Sequence, residues 1–257
     1  MSLRWVFADT WTLTLRALSH WARQPFVALV GFLFPVLVLV MFAYLLRGGY
    51  GDDYPELLVP GMLALTTVFG LETTMTAVVT DAQRGITDRF RSLPMAGAAV
   101  VSGRAVADLL HAVLGLVVLM ACGWAIGWRV HGGVLDALAA VGLLVLLRFS
   151  LIWMGVFLGL VAGRPEAVSA VQILVWPLGF LSIAFTDPGS MPGWLGTVAE
   201  WNPLSSTVAA TRELFGNPGW ESQSWVAEHA VLMAVVWPLV LTAIFFPLAV
   251  ARYRSAA

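Results

Sequence analysis

Six long apolar runs, Phe26–Leu46, Glu56–Thr80, Val100–Ile126, Leu135–Ala162, Val168–Phe185 and Val226–Val250, take up most of the chain. Each approaches the ~20 residues that a helix needs to cross a bilayer. Each is also apolar nearly all round, so helical periodicity does not separate a protein-facing side from a lipid-facing one. Residues 3–22 behave differently. Leu3, Phe7, Trp11, Leu15 and Leu18 recur at spacings of four and three, while Arg4, Thr12, Arg16, Ser19 and Arg23 fall on another face. That pattern predicts an amphipathic helix lying in a headgroup layer, with an ordinary surface helix as the plainer alternative. The run from residue 26 is too long for a signal sequence, and no small-x-small cleavage site follows it, so it is expected to be retained. The pattern thus predicts an all-α integral membrane protein: an interface helix over 1–24 and one six-span domain over 25–257, undivided by a linker, a low-complexity tract or a clear repeat.

Composition agrees with lipid as the solvent. Of the 257 residues, 60% are hydrophobic and 11% charged, and mean hydropathy is +0.86. A soluble domain carries about 25% charged residues, and a soluble fold of this size cannot hide so much apolar surface. All 14 basic residues are arginine, and their placement orients the chain. With both termini in the cytoplasm of a bacterial cell, Arg4, Arg16, Arg23, Arg84, Arg89, Arg91, Arg104, Arg164, Arg252 and Arg254 lie inside, only Arg47, Arg129 and Arg212 lie outside, and Arg148 falls within a span. The outer segments hold Asp52, Asp53, Asp187, Glu200, Glu213 and Glu221, and Trp21, Trp124, Trp128, Trp194 and Trp225 fit interfacial belts. An inner-membrane location follows from this reading.

Several functions are disfavoured. A net charge of −1 offers no general attraction for nucleic acid. The lone Cys122 rules out an intramolecular disulfide and a cysteine-based metal cluster. No phosphate-binding G-x-x-x-x-G-K-[ST] loop, H-E-x-x-H or G-x-S-x-G motif occurs. His20, His111, His131 and His229 are scattered without metal-ligand spacing. No catalytic residue, metal site or bound cofactor is expected.

Two connecting segments carry more information. The inner loop 81–95 places Ile86, Phe90 and Leu93 at spacings of four and three among charged residues, with Pro94 marking an end. That suits a short helix gripped by a cytosolic partner, although a basic loop that only sets topology has the same composition. The outer segment 187–222 starts with helix-stopping Pro and Gly and continues as amphipathic, tryptophan-bearing sequence too short to span. It is expected to form one or two short helices that re-enter or lie on the outer leaflet, capping an exit.

Three charges fall inside spans. At 1.5 Å per residue, Glu72 lies about 13 Å from the inner end of its span, Asp108 at a similar depth, and Arg148 about 22 Å deep. An Arg148–Asp108 or Arg148–Glu72 pair is feasible. Such a pair either holds the bundle together or lines a polar, proton-linked path.

The run Arg84-Gly85-Ile86-Thr87-Asp88-Arg89-Phe90-Arg91-Ser92-Leu93-Pro94 resembles the inner-loop signature of ABC-2 type permeases, most of all the daunorubicin-resistance type. So do Leu58-Val59-Pro60-Gly61, Arg164-Pro165-Glu166-Ala167-Val168, and Asp187-Pro188 with Met191-Pro192-Gly193-Trp194-Leu195 and Asn202-Pro203. The resemblance covers nearly the whole chain, in order. It implies a type V exporter-like fold with an interface helix, six spans, a coupling helix between spans two and three and short outer helices before span six. It implies a separate ABC ATPase subunit holding ATP and Mg, and a second permease copy or paralogue. The coupling contact would fall on Arg84, Gly85, Asp88, Arg89, Phe90, Arg91, Leu93 and Pro94. Span two would line the path, which favours Glu72 as a functional group, with Phe34, Phe69, Trp176 and Phe180 as candidate walls for an amphipathic drug or antibiotic-like substrate. Two alternatives remain: a permease for a lipid or glycan carrier, and an ion-coupled secondary transporter relaying charge through Glu72, Asp108 and Arg148.

Overall fold

Backbone polar groups in lipid must be satisfied by the chain itself, which confines so apolar a sequence to helices. The structure, a computed structural model, describes residues 25–51, 53–85, 97–220, 222 and 224–255. The interface helix expected over 1–24 and the inner loop from Ile86 to Met95 lie outside them. The described residues form α1 (Pro25–Leu45), α2 (Tyr54–Gln83), α3 (Gly97–Ala125), α4 (Val134–Ala162), α5 (Pro165–Phe180), α6 (Gly193–Glu200), α7 (Pro203–Phe215) and α8 (Ala230–Ser255), with single turns at Arg47–Tyr50, Pro188–Ser190 and Trp225–Glu228. Among the described residues, four segments are long and apolar enough to cross a membrane: Tyr54–Gln83, Ser102–Ala125, Val134–Ala162 and Ala230–Tyr253.

Two expected spans need correction at their ends. The last span begins at Ala230 rather than Val226, because Ser224 caps a separate turn by accepting a hydrogen bond from the Ala227 N–H. The fifth begins at Pro165 and stops at Phe180 rather than Phe185. Its 16 residues rise only about 24 Å, short of the ~30 Å hydrocarbon core. The stop is enforced by side chains that take the last carbonyls. Ser182 Oγ donates to Gly179 O at 2.7 Å, and Asn202 Nδ2 donates to Leu178 O and Leu181 O at 2.7 and 2.8 Å.

Successive long helices alternate in direction. His131 meets Glu56 at one end, while Arg104 pairs with Asp81 at the other. α4 packs against α2, α7 and α8 and so forms the centre of the bundle. Gly155 and Gly159, one turn apart on α4, let α2 approach closely: a Cβ on Gly159 would stand 2.8 Å from the Val78 Cβ. Small residues at this spacing are the usual means of close helix packing in lipid, where no hydrophobic force draws helices together.

The end at which α5 stops is capped by α6 and α7. Asn202 opens α7 by accepting from the Leu204 N–H at 3.0 Å, Pro203 occupies the first helical position, and Gly216 ends the helix at φ 68°. α7 is wedged among α2, α4 and α8. Its residues Leu204–Val208, Ala210–Arg212 and Phe215 are buried. Arg212, 1% exposed, sits at the junction. Its Nε and Nη2 donate to Leu57 O at 3.1 and 2.8 Å, Nη1 to Ile183 O at 3.0 Å, and Nη2 also to Ala184 O at 2.8 Å. Its guanidinium carbon lies 5.6 Å from the centre of the Trp220 ring.

Replacing Arg212 with Ala removes the side-chain donor from three buried carbonyls at once, of which Ile183 O keeps the Trp220 Nε1–H, and is expected to cost about 3 kcal/mol or more. Arg212→Lys keeps the charge but loses the planar fork, and should recover only part of that stability. Thermal unfolding of the detergent-solubilised protein measures both, with the order wild type, Lys, Ala expected.

Candidate functional site

Aromatic residues from three helices converge beside the capped end. Trp176 and Phe180, four residues apart, share one face of α5, with ring centres 5.9 Å apart. Phe69 of α2 lies 4.6 Å from Trp176, and Phe34 of α1 lies 6.1 Å from it. The series continues through Phe180–Phe185 at 5.6 Å and Phe185–Phe42 at 5.3 Å. Gly179 permits this convergence, since a Cβ there would stand 2.7 Å from Leu65 Cδ1 of α2. The four candidate wall residues therefore form one connected ladder. Phe34 and Phe180 are 50% and 41% exposed, so one side of it is open. Glu72 lies three residues beyond Phe69 on the same side of α2 and is half-buried.

The other two intramembrane charges form a separate group. Arg148 of α4 is 4% exposed. Its Nη2 donates to Thr74 Oγ1 at 2.9 Å, and Thr74 Oγ1 donates to Asp108 Oδ2 at 2.9 Å. One hydroxyl thus bridges Arg148 and Asp108, joining α4, α2 and α3. Gly70 makes room for the guanidinium: a Cβ there would stand 2.7 Å from Arg148 Cζ. The Arg148–Glu72 pairing is not formed. Gly70 and Thr74 face α4, whereas Glu72, two residues from each, is rotated about 200° away on the helix. Beside Asp108, His111 stacks on Phe32 with ring centres 4.7 Å apart.

At the opposite end, the Asp81–Arg104 ion pair ties the end of α2 to the start of α3. Arg84 closes α2, and Gly85 turns the chain at φ 64°. Both are exposed. The remaining expected coupling residues, Asp88, Arg89, Phe90, Arg91, Leu93 and Pro94, lie outside the described residues.

Sequence reasoning missed Thr74 and Arg212. A threonine four residues from a glycine in an apolar helix is the available signal for the first. For the second, the signal is an arginine one turn after Thr207 and Val208 in a helix opened by Asn202-Pro203; it was read only as an outer charge.

Thr74→Val is nearly isosteric but removes the bridge, leaving Arg148 and Asp108 each short of a partner. A loss of about 1–3 kcal/mol is expected, and Thr74→Ser should restore most of it. Thermal unfolding of the purified variants provides the comparison.

Residues 8–215 match the ABC-2 type transporter family. The daunorubicin resistance ABC transporter permease protein DrrB1 of Streptomyces coeruleorubidus is 34% identical over 232 residues, covering 88% of this chain and 82% of that protein. The doxorubicin resistance ABC transporter permease protein DrrB of Mycobacterium tuberculosis is 25% identical over 195 residues, covering 75% and 68%. Together with the bundle of apolar helices, these matches identify the chain as a multi-pass membrane protein of the ABC-2 type transporter family.

Proposed function

We propose that this chain is the permease subunit of an ABC exporter that moves an amphipathic, drug-like or antibiotic-like molecule out of the cell. The observation that carries the reading is the aromatic ladder of Phe34, Phe69, Trp176 and Phe180. Flat apolar molecules suit such a wall, because stacked or edge-on rings gain contact area with little loss of side-chain freedom. Glu72 supplies the polar group on the same side of α2. In this reading α1 and α5 complete six spans, residues 1–24 form the interface helix, and both termini face the cytoplasm across the inner membrane. The exposed apolar side chains Leu33, Leu37 and Met41 of α1 and Ile173, Leu174 and Leu178 of α5 would face a second permease copy or paralogue across the path.

The energy comes from a separate ATPase subunit carrying ATP and Mg, docked on the elbow 81–95 through Arg84, Gly85, Asp88, Arg89, Phe90, Arg91, Leu93 and Pro94. α2 runs for 30 residues from the cap to Gln83, inside the elbow, and carries both Phe69 and Glu72. Displacing the elbow therefore moves the ladder along one rigid element. The Asp81–Arg104 pair makes α3 follow.

The test is ATP hydrolysis by the co-purified permease and ATPase across a panel of flat amphipathic drugs. Stimulation by several of them is expected, and Phe69→Ala and Trp176→Ala should each raise the half-maximal drug concentration about tenfold. A complex that hydrolyses ATP but responds to no drug sinks the drug reading, and failure to associate with any nucleotide hydrolase sinks the exporter reading itself. Glu72→Gln is expected to reduce export while leaving the unfolding temperature within a degree or two, about what a half-exposed surface change produces. Unimpaired export by that variant removes Glu72 from the path.

A further inference from the structure

Beneath the aromatic ladder, away from the cap, two helices turn polar on the same side. On α2 the residues that follow Phe69 on its face are Glu72, Thr73 and Thr76, all within about 60° of it around the helix. On α5 the residues that precede Trp176 on its face are Gln172 and Ser169, within about 40° of it. Phe69 and Trp176 touch, with ring centres 4.6 Å apart, so the two faces look the same way. The helices are antiparallel: Gly179 meets Leu65, while Val168 packs with Met75 and Val79. Both polar stretches therefore lie below the rings. Thr73 and Gln172 sit about 6 Å along the axis from Phe69 and Trp176, and Thr76 and Ser169 about 10 Å.

The character of the α2 face changes at Phe69. Toward the cap the same face carries Met62 and Leu65, both apolar and buried. Below it Thr73 and Thr76 are exposed, as is Ser169 on α5, and Glu72 and Gln172 are half-buried. Their hydroxyls also behave differently from those of their neighbours. Thr66 and Thr80 donate to the carbonyls four residues back, Met62 O and Thr76 O, at 2.7 and 2.8 Å, which satisfies a helical threonine within its own helix. Among the described residues, the side chains of Glu72, Thr73, Thr76, Ser169 and Gln172 make no hydrogen bond to the chain. Lipid is a costly neighbour for such a face, because it solvates neither a carboxylate nor an amide. A dry two-fold contact centred on it would set the Glu72 of each copy against the other, like charge on like charge. Water is the neighbour that meets both objections.

We propose that α2 and α5 wall a water-filled groove beneath the ladder, in which Glu72, Thr73, Thr76, Ser169 and Gln172 keep the polar end of the cargo solvated while Phe69 and Trp176 hold its rings. A cargo seated this way gives up no hydrogen bonds from its polar end and buries only its flat part. The groove thus selects molecules whose ring system and hydrogen-bonding groups lie at opposite ends. The place of cargo in it rests on the exporter reading above, whereas the water does not.

The test uses the full chain in nanodiscs of neutral lipid, which expose both faces. Cys122→Ser removes the native thiol, and Thr73→Cys, Thr76→Cys and Ser169→Cys each introduce a reporter of similar size at an exposed position, with the unfolding temperature as the check on folding. Leu239→Cys, at an exposed apolar position of α8, is the comparison. A charged methanethiosulfonate reagent is expected to modify the three groove thiols about tenfold faster or more than the α8 thiol, because it does not enter hydrocarbon. Rhodamine 6G, a flat amphiphilic dye, is expected to slow labelling of Thr73→Cys about threefold or more by occupying the ladder one turn away. Groove thiols that react no faster than the α8 thiol mean that lipid or a partner helix covers the face, and overturn the proposal. Fast labelling that the dye leaves unchanged overturns it too, since the groove then carries no cargo. The labelling needs neither hydrolysis nor transport. Drug-stimulated ATP hydrolysis beside slow or unprotected labelling therefore sinks the groove and leaves the exporter reading standing.

Discussion

Everything at the capped end depends on one requirement: a buried backbone that leaves helical geometry must find its hydrogen-bond partners in the protein. α5 ends at Phe180, and the carbonyls it exposes, together with those of the following residues, are taken up by Asn202, Ser182, Arg212 and Trp220. Most of these partners come from α7 and the chain after it. The short helix is therefore less a surface feature than the means by which the early end of α5 finds its hydrogen-bond partners. Arg212 is central because a guanidinium presents several donors in a fixed plane. It reaches Leu57 on α2 and Ile183 and Ala184 beyond α5 with a single side chain. Gly61 belongs to the same arrangement, since a Cβ there would stand 2.7 Å from Ala184 O.

Charge is handled in the bundle by the same logic. Arg148 and Asp108 reach each other through Thr74, so a cation and an anion on different helices share a neutral hydroxyl on a third. Glu72 is left on the other side of α2 with the aromatic ladder. One helix thus presents two chemically distinct faces, one joined to α4 and α3 and one turned toward α1 and α5.

The long apolar helices were legible because uninterrupted hydrophobicity over about 20 residues has few other uses. α2, α3 and α4 begin and end within three residues of the sequence expectation. The end of α5 was not legible, because only Ser182 interrupts the apolar run Leu181–Phe185, and the other residue that takes its last carbonyls, Asn202, lies well further along the chain. The resemblance offers Phe34, Phe69, Trp176 and Phe180 only as separate candidate walls, and their clustering could not be derived from the pattern, since an aromatic in an all-apolar helix has no preferred side. Glycines such as Gly70 and Gly179 carried the missing information. Their meaning depends on which helix lies opposite, and a single sequence does not state that.

The double hydrogen bond from Asn202 has a mechanical consequence. It clamps the start of α7 to Leu178 and Leu181 at the tip of α5, while Arg212 fastens the other end of α7 to α2. A plug riveted at both ends to the pillars beneath it cannot swing aside as a separate flap. Any aperture at that face must arise from whole pillars parting, with the plug carried along.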